Sequence, residues 1–335
     1  ETLRVVELFS GIGAQAQALK NLGLDFTSTV CEIDEKAYRS YCAIHGDTPN
    51  LGDITKVEHL PECDLLTYSS PCQDLSVAGS QRGMGQGSGT RSSLLWDVGR
   101  LLSDAQRQGR APQVLLMENV DAILNKKNIS EFNRWIDFLT NLGYTSSYKV
   151  LNAKDFGVPQ NRKRCFMVSS LGVRGFIFPE VIPFDRRLRD VLDDDVDESF
   201  YLSDDTVAKY KAHEISPSNI RYPCATVKGY MDAYEGDGLV MNRPTKARGT
   251  VQQERVPTLT TGNGCGTGTV DKGLRIRYLT PRECWRLMGF PDSAYEVARD
   301  VPTSRTQLYK QAGNSIVVPC LETIFKAIYI DHSWQ

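Results

Sequence analysis

The sequence predicts an α/β fold: a parallel sheet with helices on both faces, joined to a smaller, irregular, mainly β domain. Three observations predict it. Strand-like and helix-like segments alternate through the first half, the order of a parallel sheet. From about Phe184 to about Leu274 the chain is rich in Gly, Thr, Asp and Pro. Helix-like patterning then returns in TPRECWRLMGFP and TQLYKQAGNSIVVPCLETIFKAIYI.

The elements follow in order. LRVVELF is an apolar, β-branched run. SGIG leads into AQAQALKNLG, a helix pattern closed by Gly23. FTSTVCEI reads as the second strand, and DEKAYRSYCAIHG as a helix with an acidic cap that ends at Gly46. CDLLTYSS and VLLMENV read as buried strands, ISEFNRWIDFLTNLG as an amphipathic helix, and KVLNA and RCFMVSSL as the last strands. In the later segment YPCATVKGY and VPTLTT are short candidate strands. Their faint likeness is chance or a paired-strand feature.

At 335 residues the chain makes one large domain or two smaller ones. No apolar run approaches the roughly 20 residues of a membrane helix. ETLRVVELF runs straight into a strand pattern, so no secretory signal is expected. The nine cysteines are odd in number and form no CxxC pair, which argues for a reducing, cytoplasmic setting and against a disulfide framework. His45, His59, His213 and His332 form no HExxH cluster, so no metal is expected. The net charge of −2 is uninformative, but Arg221 to Phe290 holds 11 Lys and Arg against 6 Asp and Glu. A locally basic segment fits a phosphate-contacting face or a mixed solvated surface, whereas DDDVDE, Asp193 to Glu198, repels phosphate.

The chemistry-bearing residues sit where strands end. In FSGIG, Phe9 to Gly13, glycines allow a tight turn and close ligand approach, although the third glycine of the dinucleotide pattern is missing. CEID places Glu32 about 20 residues on, where an acid accepts from ribose hydroxyls. GDIT places Asp53 at a third strand-to-loop position, able to accept from an adenine amino group. Each alone could be a turn or a cap; together they describe an adenosine pocket. No basic side chain follows the glycines until Lys20, which favours S-adenosylmethionine over NAD.

SSPCQDLS puts Cys72 at a strand end behind Pro71. A free thiol with a pKa of roughly 8.5 is a few per cent thiolate at neutral pH. The next 22 residues hold five glycines, as a loop closing over a substrate would. A structural cysteine is the alternative. MENV bears Glu118 and Asn119, and an acid there could protonate or hydrogen-bond a heteroaromatic ring. In QNRKR, Arg162 and Arg164 occupy alternate positions and would share one strand face, suited to a phosphate or a base carbonyl. A solvated basic turn is the alternative.

FSGIG, EID, GDIT, SSPCQDLS, ENV, QNRKR, RECWRLMGFP and QAGNSIVVP, in that order, resemble the blocks of the DNA cytosine-5 methyltransferases of bacterial or phage type. The resemblance spans nearly the whole chain. It implies a Rossmann-like S-adenosylmethionine-dependent methyltransferase fold: residues 1–183 plus 314–335 as cofactor and catalytic domain, 184–275 as target-recognition domain, 276–313 as hinge and connecting helices. It implies catalytic roles for Cys72, Glu118, Arg162 and Arg164. Cofactor contacts are implied for Phe9, Gly11, Gly13, Glu32, Ile33, Asp53, Ile54, Pro71 and Asn314. DNA contacts are implied for Gln73, Ser76, Arg162, Thr258 and Leu259. Cys72 would add to carbon 6 of a flipped cytosine, Glu118 would contact ring nitrogen 3 and the amino group, and Arg164 the ring carbonyl.

Two departures from the family stand out: Ile33 replaces an aromatic that packs on adenine, and Ser70 a frequent phenylalanine. The resemblance further implies S-adenosylhomocysteine as product, double-stranded DNA as partner, a monomer and no membrane; a cognate restriction endonuclease in the same system, an epigenetic role and a phage self-protection role all suit these residues. A transfer-RNA cytosine-5 methyltransferase and a catalytically inactive DNA-binding relative are the rivals. A zinc deaminase needs a second cysteine at position 75, which is Leu75, and an HxE motif that is missing.

Overall fold

The computed structural model describes residues 1–71, 94–181, 185–208, 218–242, 250–301 and 303–335. Contacts divide the chain into two units, Glu1–Leu151 with Lys163–Val181 and Val318–Gln335, and Asn152–Arg162 with Ile182–Val317. The expected elements are found: β1 (Leu3–Leu8), α1 (Ala14–Asn21), β2 (Phe26–Cys31), α2 (Glu35–His45), β3 (Leu65–Tyr68), α3 (Leu94–Arg107), β4 (Val114–Val120), α4 (Ile129–Asn141), β5 (Tyr144–Asn152), β6 (Gln160–Asn161) and β7 (Lys163–Leu171). Of these, α3 and β6 are additions to the sequence reading. Leu95, Val98, Leu101, Leu102 and Ala105 of α3 are buried at helical spacing.

The first unit is built on one six-stranded sheet ordered β2-β1-β3-β4-β7-β5. β1 pairs in parallel with β2 and β3, and β3 with β4. β7 runs antiparallel to β4, so the sheet is mixed rather than purely parallel. The alternation of strand and helix had pointed only to parallel pairing. On one face Val6, Leu8, Leu66, Met117 and Met167 pack with α3 and α4 around Phe132 and Trp135. Each fully buried Leu here contributes about 2 kcal/mol of transfer free energy. A smaller cluster of Ala16, Val30 and Tyr41 packs α1 and α2 together. Asp34 caps α2 by accepting from the Lys36 and Ala37 amides, and Gly46 ends it at φ 93°. The last helix, α9 (Val318–Tyr329), lies against α1, and Asn21 donates to Glu322 at 2.6 Å.

The second unit holds α5 (Asp204–Ala208), β8 (Ile220–Pro223), β9 (Tyr230–Ala233), β10 (Gly238–Val240), β11 (Val251–Gln252), β12 (Val256–Pro257), β13 (Thr267–Asp271), β14 (Arg275–Tyr278), α6 (Pro281–Leu287), α7 (Asp292–Asp300) and α8 (Arg305–Asn314). Four strands form a sheet ordered β11-β10-β13-β14. β8 and β9 form a hairpin, and β12 pairs in parallel with β6. YPCATV and VPTLTT, faintly alike in sequence, therefore have different partners. Ile220, Tyr222, Leu239, Val270 and Ile276 form the core of this unit. α6 starts in a capping box, where Thr280 and Glu283 each satisfy the other's backbone amide. Among the described residues no helix is long and apolar enough to cross a membrane.

Candidate active site

β1 delivers the chain into the glycine turn. Phe9 holds a φ of 58°, a conformation that costs a non-glycine residue about 1–2 kcal/mol. Its amide donates to Cys31 at the end of β2 at 2.9 Å. Gly11 sits at φ 54° with open space where a Cβ would stand. At Gly13, φ 82°, a Cβ would come within 2.5 Å of His45 Nε2 and of the Tyr41 ring, so only glycine fits. Glu32 joins this turn to β2. Its Oε2 accepts from the Gly11 amide at 2.7 Å and its Oε1 from the Asp34 amide at 2.8 Å. Burial holds its carboxyl above the ordinary carboxylate range, against the pull of those two amides. Ile33 is 72% exposed. Asp53 caps a short 3-10 turn, Ile54–Lys56, instead of ending a strand. The Thr55 hydroxyl and amide hold its carboxyl below the usual range. Ile54 is buried.

β3 ends in Ser69 and Ser70, with Ser70 buried and Pro71 half-buried. Cys72, Gln73 and Ser76 lie outside the described residues. The eight described cysteines are all buried except the half-buried Cys42. Burial first of all pushes Cys31, Cys63 and Cys165 up to about 12, so none of these three is a ready thiolate. One strand over, β4 carries Glu118. Antiparallel register sets Glu118 opposite Phe166 and Val120 opposite Arg164. Glu118 and Arg164 are thus diagonal neighbours on one face, within reach of long side chains. Arg164 Nε lies 3.2 Å from Glu118 Oε1, with both side chains more than four-fifths buried. Asn119 points to the other face and accepts from the Val120 amide. A cavity of about 630 Å³, lined by Arg4, Lys20, Ser28, Tyr41 and His45 among others, includes neither Glu32 nor Glu118.

Arg162 belongs to the second unit and not to β7, which begins at Lys163. Its side chain does not share a strand face with Arg164, because the strand breaks at Arg162 itself. It is 4% exposed, and its guanidinium donates to the carbonyls of Leu259, Gly313 and Ser315 at 2.9–3.1 Å. The Thr258 hydroxyl donates to Asn161 and the Leu259 amide to Gln160, and the Leu259 side chain is 2% exposed. Gly313 lies so close to the Thr260 carbonyl that a Cβ would overlap it. Asn314, which ends α8, is exposed.

A sequence profile of C-5 cytosine-specific DNA methylases matches residues 3–330. The chain belongs to this family. Its enzyme class is DNA (cytosine-5) methyltransferase. It is 38% identical to a type II methyltransferase, M2.ScrFI of Lactococcus lactis subsp. cremoris, over 84% of this chain and 71% of that one. It is 36% identical to the orphan methyltransferase M.SssI of Spiroplasma monobiae, over 84% and 70%. The fold matches the Dnmt2 methyltransferase of S. pombe with a TM-score of 0.66 at 20% identity, covering 99% of both chains.

The family and its fold are those of S-adenosylmethionine-dependent methyltransferases, and the residues present fit that cofactor. The Glu32 carboxylate faces the glycine turn, an exposed aliphatic side chain follows it, and the open space at Gly11 admits close approach. Sequence reasoning missed Asn50. Its Oδ1 accepts from the Glu32 and Gly52 amides at 3.0 and 2.9 Å, and its Nδ2 donates to the Glu32 carbonyl. It therefore ties the Glu32 turn to the Asp53 turn. NLGD carries the turn signal, but only folding brings residue 50 beside residue 32.

The basic segment is also corrected. Arg275 pairs with Glu198, Arg277 with Asp271 and Glu283, and Arg286 with Asp193 and Asp292. Arg282 reaches Asp193 at 3.4 Å. Carboxylates of the acidic 193–198 stretch, expected only to repel phosphate, neutralise part of the charge assigned to a phosphate face.

Proposed function

We propose that the protein methylates carbon 5 of a cytosine, flipped out of double-stranded DNA at a short recurring sequence, through a covalent Cys72 adduct. Glu118 paired with Arg164 at the ends of adjacent strands is the observation that carries this reading. One carboxyl and one guanidinium at that spacing can hold the ring nitrogen and carbonyl of a pyrimidine together. The Cys72 sulfur adds to ring carbon 6, breaking the 5,6 double bond and placing electron density on carbon 5. Glu118, contacting ring nitrogen 3 and the amino group, promotes that addition, and Arg164 holds the ring carbonyl. S-adenosylmethionine, when bound, supplies an electrophilic methyl group. Loss of the carbon-5 proton then restores the double bond and expels the thiolate.

In this reading Phe9, Gly11, Gly13, Glu32, Ile33, Asp53 and Ile54 form the cofactor side, with Pro71 and Asn314 as further contacts. Glu32 takes the ribose hydroxyls and Asp53 the adenine amino group. Arg162 acts as a clamp under the Thr258–Leu259 segment, since both of its terminal nitrogens donate to carbonyls. Gln73 and Ser76 approach the DNA. Target reading is assigned to residues 184–275. Expression in cells lacking their own cytosine methylation, followed by bisulfite sequencing of plasmid, tests this. Protected cytosines in one short context are expected, lost with Cys72→Ala. Glu118→Gln is expected to lower kcat about 100-fold or more. A folded, DNA-binding protein that protects no cytosine would sink the reading.

A further inference from the structure

Glu7 is a carboxylic acid that the reaction above does not use, and it sits under the glycine turn. It lies on β1 with no solvent exposure. Its strand neighbours Val6 and Leu8 belong to the main core, so Glu7 faces the opposite side, toward α1 and α2. Its Oε1 accepts from the Tyr41 hydroxyl of α2 at 2.6 Å and from the Ser28 hydroxyl of β2 at 3.1 Å. Its Oε2 is buried with no hydrogen-bond partner. The Ala16 amide, in the first turn of α1, is the further group that favours its charge. No lysine or arginine pairs with it among the described residues. Burial first, against these hydrogen bonds, pushes its carboxyl up to about 7. An uncharged side chain would fill this place at less cost.

α1 needs such a group. Its cap residue, Gly13, has no side chain to offer, and its first turn contains no acid. Its leading amides therefore have no local acceptor. The turn also rests on Tyr41 and His45. His45 Nε2 donates to the Ile12 carbonyl at 3.1 Å, and Gly13 packs against both rings. Burial first of all lowers His45 to about 4, so it is neutral near pH 7 and keeps that proton on Nε2 by its carbonyl bond.

We propose that Glu7 and Tyr41 are positioning residues for cofactor binding: the buried carboxyl ties β2 and α2 to β1, and the Tyr41 ring it holds packs against Gly13 and so fixes the turn whose Gly11 amide orients Glu32. The proposal rests on the reading that this turn binds S-adenosylmethionine. It adds that cofactor affinity is set from beneath the turn, by groups that never touch the cofactor.

Tyr41→Phe and Glu7→Gln, in the full chain, test it. Calorimetric titration with S-adenosylhomocysteine gives Kd, and methyl transfer to plasmid DNA gives KM for S-adenosylmethionine and kcat. Both variants are expected to raise Kd and KM about tenfold, the scale of one buried hydrogen bond. kcat at saturating cofactor should stay within about twofold of wild type. Binding constants within about twofold of wild type in Tyr41→Phe overturn the proposal, whatever happens to thermal stability, and leave Glu7 a packing residue. Tyr41→Phe decides even if Glu7→Gln fails to fold, because it keeps the ring against Gly13. Wild-type protein that binds no S-adenosylhomocysteine overturns the cofactor reading and this proposal with it. Wild-type binding with unchanged variants overturns the proposal alone.

Discussion

Glu7 in the first unit and Glu283 in the second are both removed from solvent, and their surroundings are opposite. Glu283 accepts from both terminal nitrogens of Arg277 at 2.9 Å, and from the amides of Thr280 and Asp193. Arg277, itself 0% exposed, is also held by Asp271. Glu7 has two hydroxyls, a favourable influence from the Ala16 amide and, among the described residues, no cation. A buried charge with a full set of partners serves the fold. A buried acid left short of partners is costly, and such costs collect where a site needs them.

Removing one member of the paired set is the largest expected effect. Glu283→Gln leaves Arg277 underpaired in a dry environment and should cost about 3–5 kcal/mol. Urea unfolding followed by Trp285, buried in α6 beside it, measures this. A loss no larger than a surface substitution would erase the contrast.

A pH dependence comes next. The folded pKa of Glu7 is raised to about 7, above its unfolded value of roughly 4.3. The folded state therefore binds the extra proton, so this contribution is complete below the unfolded value and lost as pH rises through about 7. Wild type should lose on the order of 2 kcal/mol between about pH 5.5 and 7.5 relative to Glu7→Gln. Urea midpoints of both proteins across that range check it, and parallel curves would mean that Glu7 is ionised throughout. His45, lowered to about 4 in the folded state, titrates near 6.5 when unfolded, but it is present in both proteins and cancels from the difference.

Asn50→Ala should cost about 1–2 kcal/mol, because it removes the acceptor of the Glu32 and Gly52 amides. Its KM for S-adenosylmethionine should rise as the Glu32 and Asp53 turns uncouple. The smallest effect is at the surface. Glu198→Gln breaks the bidentate pair with Arg275, whose two side chains are both partly solvated, and the urea midpoint should not move.

Much of this arrangement was legible beforehand. FSGIG, the Glu32 and Asp53 turns and the Glu118 strand all lie where strand and helix patterns break, and local turn chemistry marks those places. Arg162 was legible as a basic residue but not as a clamp. Its partners are carbonyls about 100 and 150 residues away, and a carbonyl has no sequence signature. Glu7 was hidden for a related reason. In LRVVELF it reads as the polar member of an alternating strand, the one that should face water. Only the packing of α1 and α2 over that face makes it a buried acid.

The sequence by itself determined most of the strand and helix order of the first unit, the main turns, the family and the residue types available for chemistry. These follow from local periodicity, glycine and cap placement and ordered short motifs. Tertiary structure alone decided that β7 runs antiparallel and that Arg164 meets Glu118 while Arg162 does not share its strand. It also decided that carboxylates of the acidic stretch neutralise part of the basic charge of the second unit, and that burial pushes the Glu7 carboxyl up to about 7. Those outcomes depend on burial and on partners distant in the chain, because the energy of a charge is set by what surrounds it rather than by its neighbours in sequence.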